Sequence, residues 1–190
     1  MSVITPPSPS ISPVSGVVTP EDLLSMDGLF ELVDGRLVEK HMSFEAGETA
    51  VKVILVLGGY VQQHNLGKVV SEVTFRCFPE KPGQVRRPDI AFISTVRLPS
   101  APKEGHVPVR PDLAIEIVSP GDEVYELDDK LADYESAGIP LVWILNPNLK
   151  TITVLHPHQP TIKLRAGDQL GGEEVLPVFS VRVGELFPQQ

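Results

Sequence analysis

The segment Pro111–Pro147, PDLAIEIVSPGDEVYELDDKLADYESAGIPLVWILNP, constrains this chain's architecture more than any other. Leu113 to Val118 is a short apolar run closed by the turn Ser119-Pro120-Gly121-Asp122, and Leu141 to Leu145 is a second continuous apolar run. Runs of that length without alternation suit strands covered on both faces. Between them, Val124, Leu127, Leu131 and Tyr134 share one face of a predicted helix from about Glu123 to Ala137, which Gly138 ends. The first strand carries a single carboxylate, Glu116, between Ile115 and Ile117. A charged group among apolar neighbours is costly to bury unless a metal or a cation pairs with it.

The remaining elements follow from local patterning. Residues 1–18 hold four prolines and five serines without periodicity and predict a disordered tail. Residues 19–190 are long enough for a single domain with its own core. Thr19-Pro20-Glu21-Asp22 starts a short helix, with threonine as cap and proline in the first turn. Phe30 to Lys40 reads as a hairpin about Asp34-Gly35. Ala50, Val53, Ile54, Leu57, Tyr60 and Val61 predict a helix from Glu45 to about His64, with Gly58-Gly59 suited to close packing on the sheet. Strands are expected at Lys68–Phe78, Val85–Ile93, Thr151–Leu155 and Ile162–Arg165, with a Pro-rich loop from Leu98 to Arg110 and a closing strand and turn from Val175 to Phe187. The fold class is α/β (α+β): a mixed sheet with helices packed on it.

Composition narrows the setting. The formal net charge of −9 argues against coating nucleic acid through bulk electrostatics. The charge is unevenly placed. Residues 36–110 carry eleven bases against seven acids, and residues 111–190 carry five bases against thirteen acids. That asymmetry fits either a polyanion groove beside a carboxylate site or ordinary uneven surface charge. No run of about 18 apolar residues predicts a membrane helix, and the N-terminus lacks the basic start and apolar core of a secretory signal. One cysteine, Cys77, excludes an internal disulfide and suits a cytoplasmic location, where it reads as a half-buried strand residue.

Asp89 and Glu116 stand out as acids in two different apolar strands. Two carboxylates on neighbouring strand ends suit Mg²⁺ or Mn²⁺, which take a few oxygen ligands plus water. His41, His64, His106, His156 and His158 are scattered, without zinc spacing. Lys130 follows on the next helix, either as a counter-charge to the buried acids or as a surface lysine paired with Glu126 one turn back.

Arg87-Pro88-Asp89, Glu116-Ile117-Val118-Ser119-Pro120, Lys130 with Tyr134 and Gly138, and Val142-Trp143-Ile144-Leu145 together resemble the Uma-two family of bacterial endonucleases, within the PD-(D/E)XK superfamily. Phe30 to Gly35, Gly171-Gly172, Val175-Leu176-Pro177 and Glu185-Leu186-Phe187 extend the resemblance over about residues 20–187. It implies a restriction-endonuclease-like αβββαβ core with added edge strands. Asp89 is then the motif aspartate, and Glu116 is the acid of the second half-motif. Val118 stands where the parent pattern has lysine, and Lys130 matches the family's relocated lysine. Glu48 on the first core helix reads either as a fourth acid or as a helix-start carboxylate. Glu31 matches an early family glutamate, or pairs with Arg36 across the hairpin.

The function this resemblance implies is Mg²⁺- or Mn²⁺-dependent hydrolysis of DNA phosphodiester bonds. Asp89, Glu116 and the Ile117 carbonyl would hold the metal, Lys130 would position water or steady charge, and Arg36, Lys40, Arg86 and Arg87 would touch the DNA backbone. A homodimer would suit the cutting of two strands. A non-catalytic binding module on the same fold, with the acids and lysine as a buried ionic cluster, is the main rival. A metal-dependent hydrolase of another phosphate ester is a further alternative.

Overall fold

The structure, a computed structural model, describes residues 18–188. The tail expected at residues 1–18 therefore lies outside it except for Val18, which packs against Leu23, Leu32 and Val85. Helix α1 (Pro20–Leu23) has the predicted start: the Thr19 side chain accepts from the Asp22 amide, and Asp22 reaches back to the Thr19 amide. Strands β1 (Phe30–Val33) and β2 (Arg36–Glu39) form the predicted hairpin. Asp34 and Gly35 both have positive φ, 47° and 77°, the backbone that a primed two-residue turn demands.

Helix α2 (Phe44–Gln63) is capped by Ser43, whose hydroxyl accepts from the Ala46 amide. It is followed by β3 (Gly67–Ser71), β4 (Ile90–Ser94), β5 (Leu113–Ile117), α3 (Val124–Ser136), β6 (Leu141–Asn146), β7 (Thr151–Leu155) and β8 (Ile162–Arg165). The six strands β3 to β8 lie side by side in chain order as one mixed sheet. Only β5 and β6 are parallel. A parallel pair needs a crossover, and α3 supplies it. The run from α2 to β6 is the expected αβββαβ order.

Alternation along the strands separates two faces. Leu113, Ile115 and Ile117 of β5 join Phe92, Leu141, Trp143 and Leu145 in the main core, which α2 closes through Ala46, Val53, Leu57 and Val61. Each such fully buried side chain contributes roughly 1.5–3 kcal/mol, before the entropy of ordering is charged against it. Ala114 and Glu116 belong to the opposite face. There Ala114 packs with Tyr134, Ile139, Phe78 and Val142. Glu116 is therefore surrounded by apolar sequence but sits on the face that α3 covers.

Several expected boundaries move. The strand predicted to run to Phe78 stops at Ser71, because Glu72 turns into the left-handed region at φ 54°. Residues 72–89 then form a loop held by isolated bridges, Phe75 to Arg86 and Phe75 to Val107. β4 begins at Ile90 rather than Val85. A Cβ at Gly58 or Gly59 would meet nothing within 4 Å, so these glycines do not serve close packing. The inward face of α3 keeps the predicted Tyr134, with Leu131 half-buried beside it, and adds Lys130 and Asp133, while Val124 is exposed. At the C-terminal end β9 (Gln169–Gly172), not expected from the sequence, pairs with β10 (Leu176–Arg182) and closes the α2 core with Leu170, Leu176 and Phe179.

Candidate active site

The β4–β5 ladder ends at the pair Ile90–Ile115. One step further along, the two strands present Asp89 and Glu116. The next donor of β5, the Ile117 amide, finds no strand partner and donates instead to Asp89 Oδ2 at 2.7 Å. Asp89 Oδ1 accepts from Lys40 Nζ at 2.6 Å. Lys40 comes from just beyond the β1–β2 hairpin, whose exit is fixed by a bond from the Lys40 amide to the Leu29 carbonyl, 2.7 Å.

Glu116 is bound on both oxygens. Oε2 accepts from Lys130 Nζ at 2.8 Å, and Oε1 accepts from the Tyr134 hydroxyl at 2.6 Å. Lys130 and Tyr134 lie four residues apart on α3, so one helix face delivers both donors. Lys130 also donates to Glu31 at 2.8 Å and to the Arg87 carbonyl at 3.2 Å, which accounts for all three of its protons. The surface reading, a pair with Glu126, is not what forms. Behind Lys130, Glu31 accepts from the Arg87 amide at 2.7 Å and from Arg86 at 3.0 Å. Arg86 reaches Asp133 Oδ2 at 2.6 Å, and Gln84 also donates to Asp133.

The electrostatics follow from these partners. Burial pushes Glu116 up to about 7: the Lys130 ammonium opposes this, and Asp89 and Glu31 add to it. Burial would raise Glu31 as well, but Lys130, Arg86 and Lys40 bring it down to about 2. Burial alone would lower Lys130, but Glu116, Glu31 and Asp89 hold its ammonium above the ordinary lysine range. Both members of the Glu116–Lys130 pair thus shift upward, Glu116 chiefly through burial and Lys130 through the acids around it in spite of burial. Lys130 faces three carboxylates, whereas Glu116 shares its single close ammonium with two other acids. The cluster favours protons.

The residues expected from the sequence divide into those brought together and those left outside. Asp89, Glu116 and Lys130 converge, with the Ile117 backbone between them. Glu48 is exposed on α2, one turn beyond the first-turn acid Glu45, and stands outside the hydrogen-bonded cluster. Arg36 is exposed at the hairpin, opposite Val33, and Glu31 bonds to Arg86 and Lys130 instead of to it. Of the four bases expected on DNA, Arg86 is 3% exposed and locked between Glu31 and Asp133, which leaves it no surface to offer a phosphate. Lys40 is bound to Asp89. Arg87 is partly buried, and its guanidinium donates to the carbonyls of Phe30 and Glu72.

Sequence reasoning missed Glu72, Asp133 and the carboxylate-binding role of Tyr134. The i, i+3, i+4 spacing of Lys130, Asp133 and Tyr134 was a usable signal for two of them. Cys77, read as a half-buried strand residue, is half-buried in the irregular loop, where burial pushes its thiol up to about 12.

The donor chemistry fits a hard divalent cation. Asp89, Glu116 and Glu72 present oxygens only, and both Glu72 oxygens are buried without a hydrogen-bond partner. Among the described residues, no group of three or more His, Cys, Asp or Glu forms a ready metal cage. Mg²⁺ tolerates that, because it keeps several waters and takes only one or two carboxylates alongside phosphate oxygens.

A mixed sheet with a paired-carboxylate notch at β4–β5 and a lysine on the following helix defines a restriction-endonuclease-like protein. Its fold matches the crystal structure of a "putative nuclease belonging to DUF820" from Anabaena variabilis ATCC 29413, with a TM-score of 0.75 and 18% identity over 90% of this chain and 97% of that one. The family model Uma2, described as "Putative restriction endonuclease", matches residues 20–184, and the chain belongs to that family. No curated protein matches it. No helix of the described residues is long and apolar enough to cross a membrane.

Proposed function

We propose that this protein is a divalent-metal-dependent endonuclease that hydrolyses phosphodiester bonds in DNA. One observation carries the reading: Asp89, Glu116 and Lys130, from a loop end, a strand and a helix, meet at a single buried notch through bonds of 2.7 and 2.8 Å. Asp89 and Glu116, with the Ile117 carbonyl, would hold Mg²⁺ or Mn²⁺. When bound, that ion supplies Lewis-acid chemistry, acidifying water and offsetting charge on the phosphate. The chain's own groups do the rest. Tyr134 fixes the rotamer of Glu116. Glu31, itself anchored by Arg86 and the Arg87 amide, holds the Lys130 ammonium against the notch, where it orients water or takes up charge developing on the phosphate.

The test is cleavage of supercoiled plasmid by purified wild type, Asp89→Ala, Glu116→Gln and Lys130→Met in Mg²⁺ or Mn²⁺. Each substitution is expected to lower divalent-dependent nicking by on the order of 100-fold or more. Nicking that survives in both acid variants overturns the reading. A second reading, a non-catalytic binding module, is favoured by one fact: every oxygen of Asp89 and Glu116 already has a partner within the chain. Calorimetry with Mn²⁺ separates the two, since a permanently closed cluster takes up no metal.

A further inference from the structure

Lys40 and Lys130 both bind a notch carboxylate, and both donate to the Arg87 carbonyl, at 2.7 and 3.2 Å. They are not equivalent. Lys130 is the more buried, 8% exposed against 16% for the Lys40 side chain, and its third acceptor is a second carboxylate, Glu31. Lys40 makes two short bonds, to Asp89 and the Arg87 carbonyl, and its remaining neighbour is Glu72 at 3.7 Å. That distance is too long for a hydrogen bond.

Glu72 is held where it is. Its amide donates to the Asp89 carbonyl at 3.2 Å, its carbonyl accepts from Arg87 at 2.7 Å, and its φ of 54° breaks β3 at that point. The outcome is a backbone fixed beside Asp89 that carries a carboxylate whose two oxygens are buried and have no hydrogen bond. The Lys40 ammonium bonds Asp89 and stands 3.7 Å from Glu72, and the charges of Arg87 and Lys130 reach Glu72 as well. What Glu72 lacks is therefore a bonded partner rather than a counter-charge. Oxygen atoms of this kind are what Mg²⁺ and Mn²⁺ take.

We infer that Lys40 is a place-holding cation on the Asp89–Glu72 pair, that a divalent ion displaces it, and that Glu72 is then an additional oxygen ligand. The inference rests on the metal-dependent reading above and adds to it a residue pair, Lys40 and Glu72, with opposite effects on metal affinity. Lys40 competes for Asp89, so removing its charge strengthens metal binding. Glu72 contributes to the site, so neutralising it weakens binding.

The experiment is calorimetric titration of Mn²⁺ into the full chain as wild type, Lys40→Met, Glu72→Gln and Asp89→Ala, without DNA. Lys40→Met is expected to bind about tenfold more tightly than wild type, because the binding-competent fraction of Asp89 rises. Glu72→Gln is expected to bind about tenfold more weakly. If Mn²⁺ binds wild type and Lys40→Met equally while Asp89→Ala abolishes binding, the place-holder is overturned and the endonuclease reading stands. If neither wild type nor Lys40→Met takes up Mn²⁺, both are overturned. Should Lys40→Met fail to fold, the Mn²⁺-induced rise in melting temperature of wild type and Glu72→Gln decides. A smaller rise in Glu72→Gln supports Glu72 as a ligand, and equal rises overturn it.

Discussion

Glu116→Gln changes the pH dependence of stability in a direction fixed by the cluster. Burial and the neighbouring acids raise this carboxyl from 4.5 to about 7. In the unfolded chain the proton leaves near 4.5, whereas in the native state it stays until about 7. Between those values the native state binds more protons, so stability falls as pH rises through the window and levels off above it. A shift of that size corresponds to about 3 kcal/mol at 1.36 kcal/mol per unit. Glutamine removes the titration. The stability of Glu116→Gln minus that of wild type should therefore grow by about 3 kcal/mol from pH 4.5 to pH 8, whatever constant penalty the amide carries. In a chain of this size that is about 6–12 °C in melting temperature. The assay is urea unfolding followed by circular dichroism at several pH values, with chelator present. Glu31 titrates outside the window, because its stabilisation is lost only as pH falls from 4.5 towards 2. A difference that stays flat from pH 4.5 to 8, or shrinks, refutes the assignment of Glu116 as the acid that carries the cluster's excess proton affinity.

Other perturbations separate structural from chemical roles. Arg86→Met leaves Glu31 and Asp133 without their shared cation, and urea unfolding should show a loss of about 3–5 kcal/mol. Tyr134→Phe deletes one donor to Glu116. It should cost about 1–3 kcal/mol and lower plasmid nicking, with the far-ultraviolet dichroism unchanged. Glu48→Ala, on the exposed side of α2, should change stability by less than about 0.5 kcal/mol and leave nicking at the wild-type rate. A large loss of nicking there would bring α2 back into the site.

What could be read from the sequence was whatever depends on near neighbours. Glu116 in an apolar run, the helix after it and the second apolar strand are all contained within Pro111–Pro147, and each formed, although the inward face of the helix took Lys130 and Asp133 and left Val124 exposed. Asp89 was legible because a proline precedes it and four apolar residues follow. The rest of the site depends on register between distant segments. Lys40 and Asp89 are 49 positions apart, as are Gln84 and Asp133. Glu72 faces Asp89 only because β3 and β4 pair Ser71 with Ile90. No local period encodes that pairing, so Glu72 carried no signal and Lys40 read as a base for the DNA backbone rather than as a partner of Asp89. Strand β9 was missed for a different reason: Gln-Leu-Gly-Gly has one apolar side chain and two glycines, a weak strand pattern that only its partner β10 makes ordered.

Asp89 does two jobs with two oxygens, and the consequence reaches beyond catalysis. By taking the Ile117 amide, it replaces the ladder bond that β4 cannot provide, so its loss strands a buried donor in the centre of the sheet. Selection for a folded protein alone would therefore retain this aspartate in a descendant that had given up all chemistry. The aspartate is a poor marker of living activity. The groups that fold maintenance would release sooner are Lys40 and Glu72, whose side chains are less buried than those of Asp89, Glu116 and Lys130.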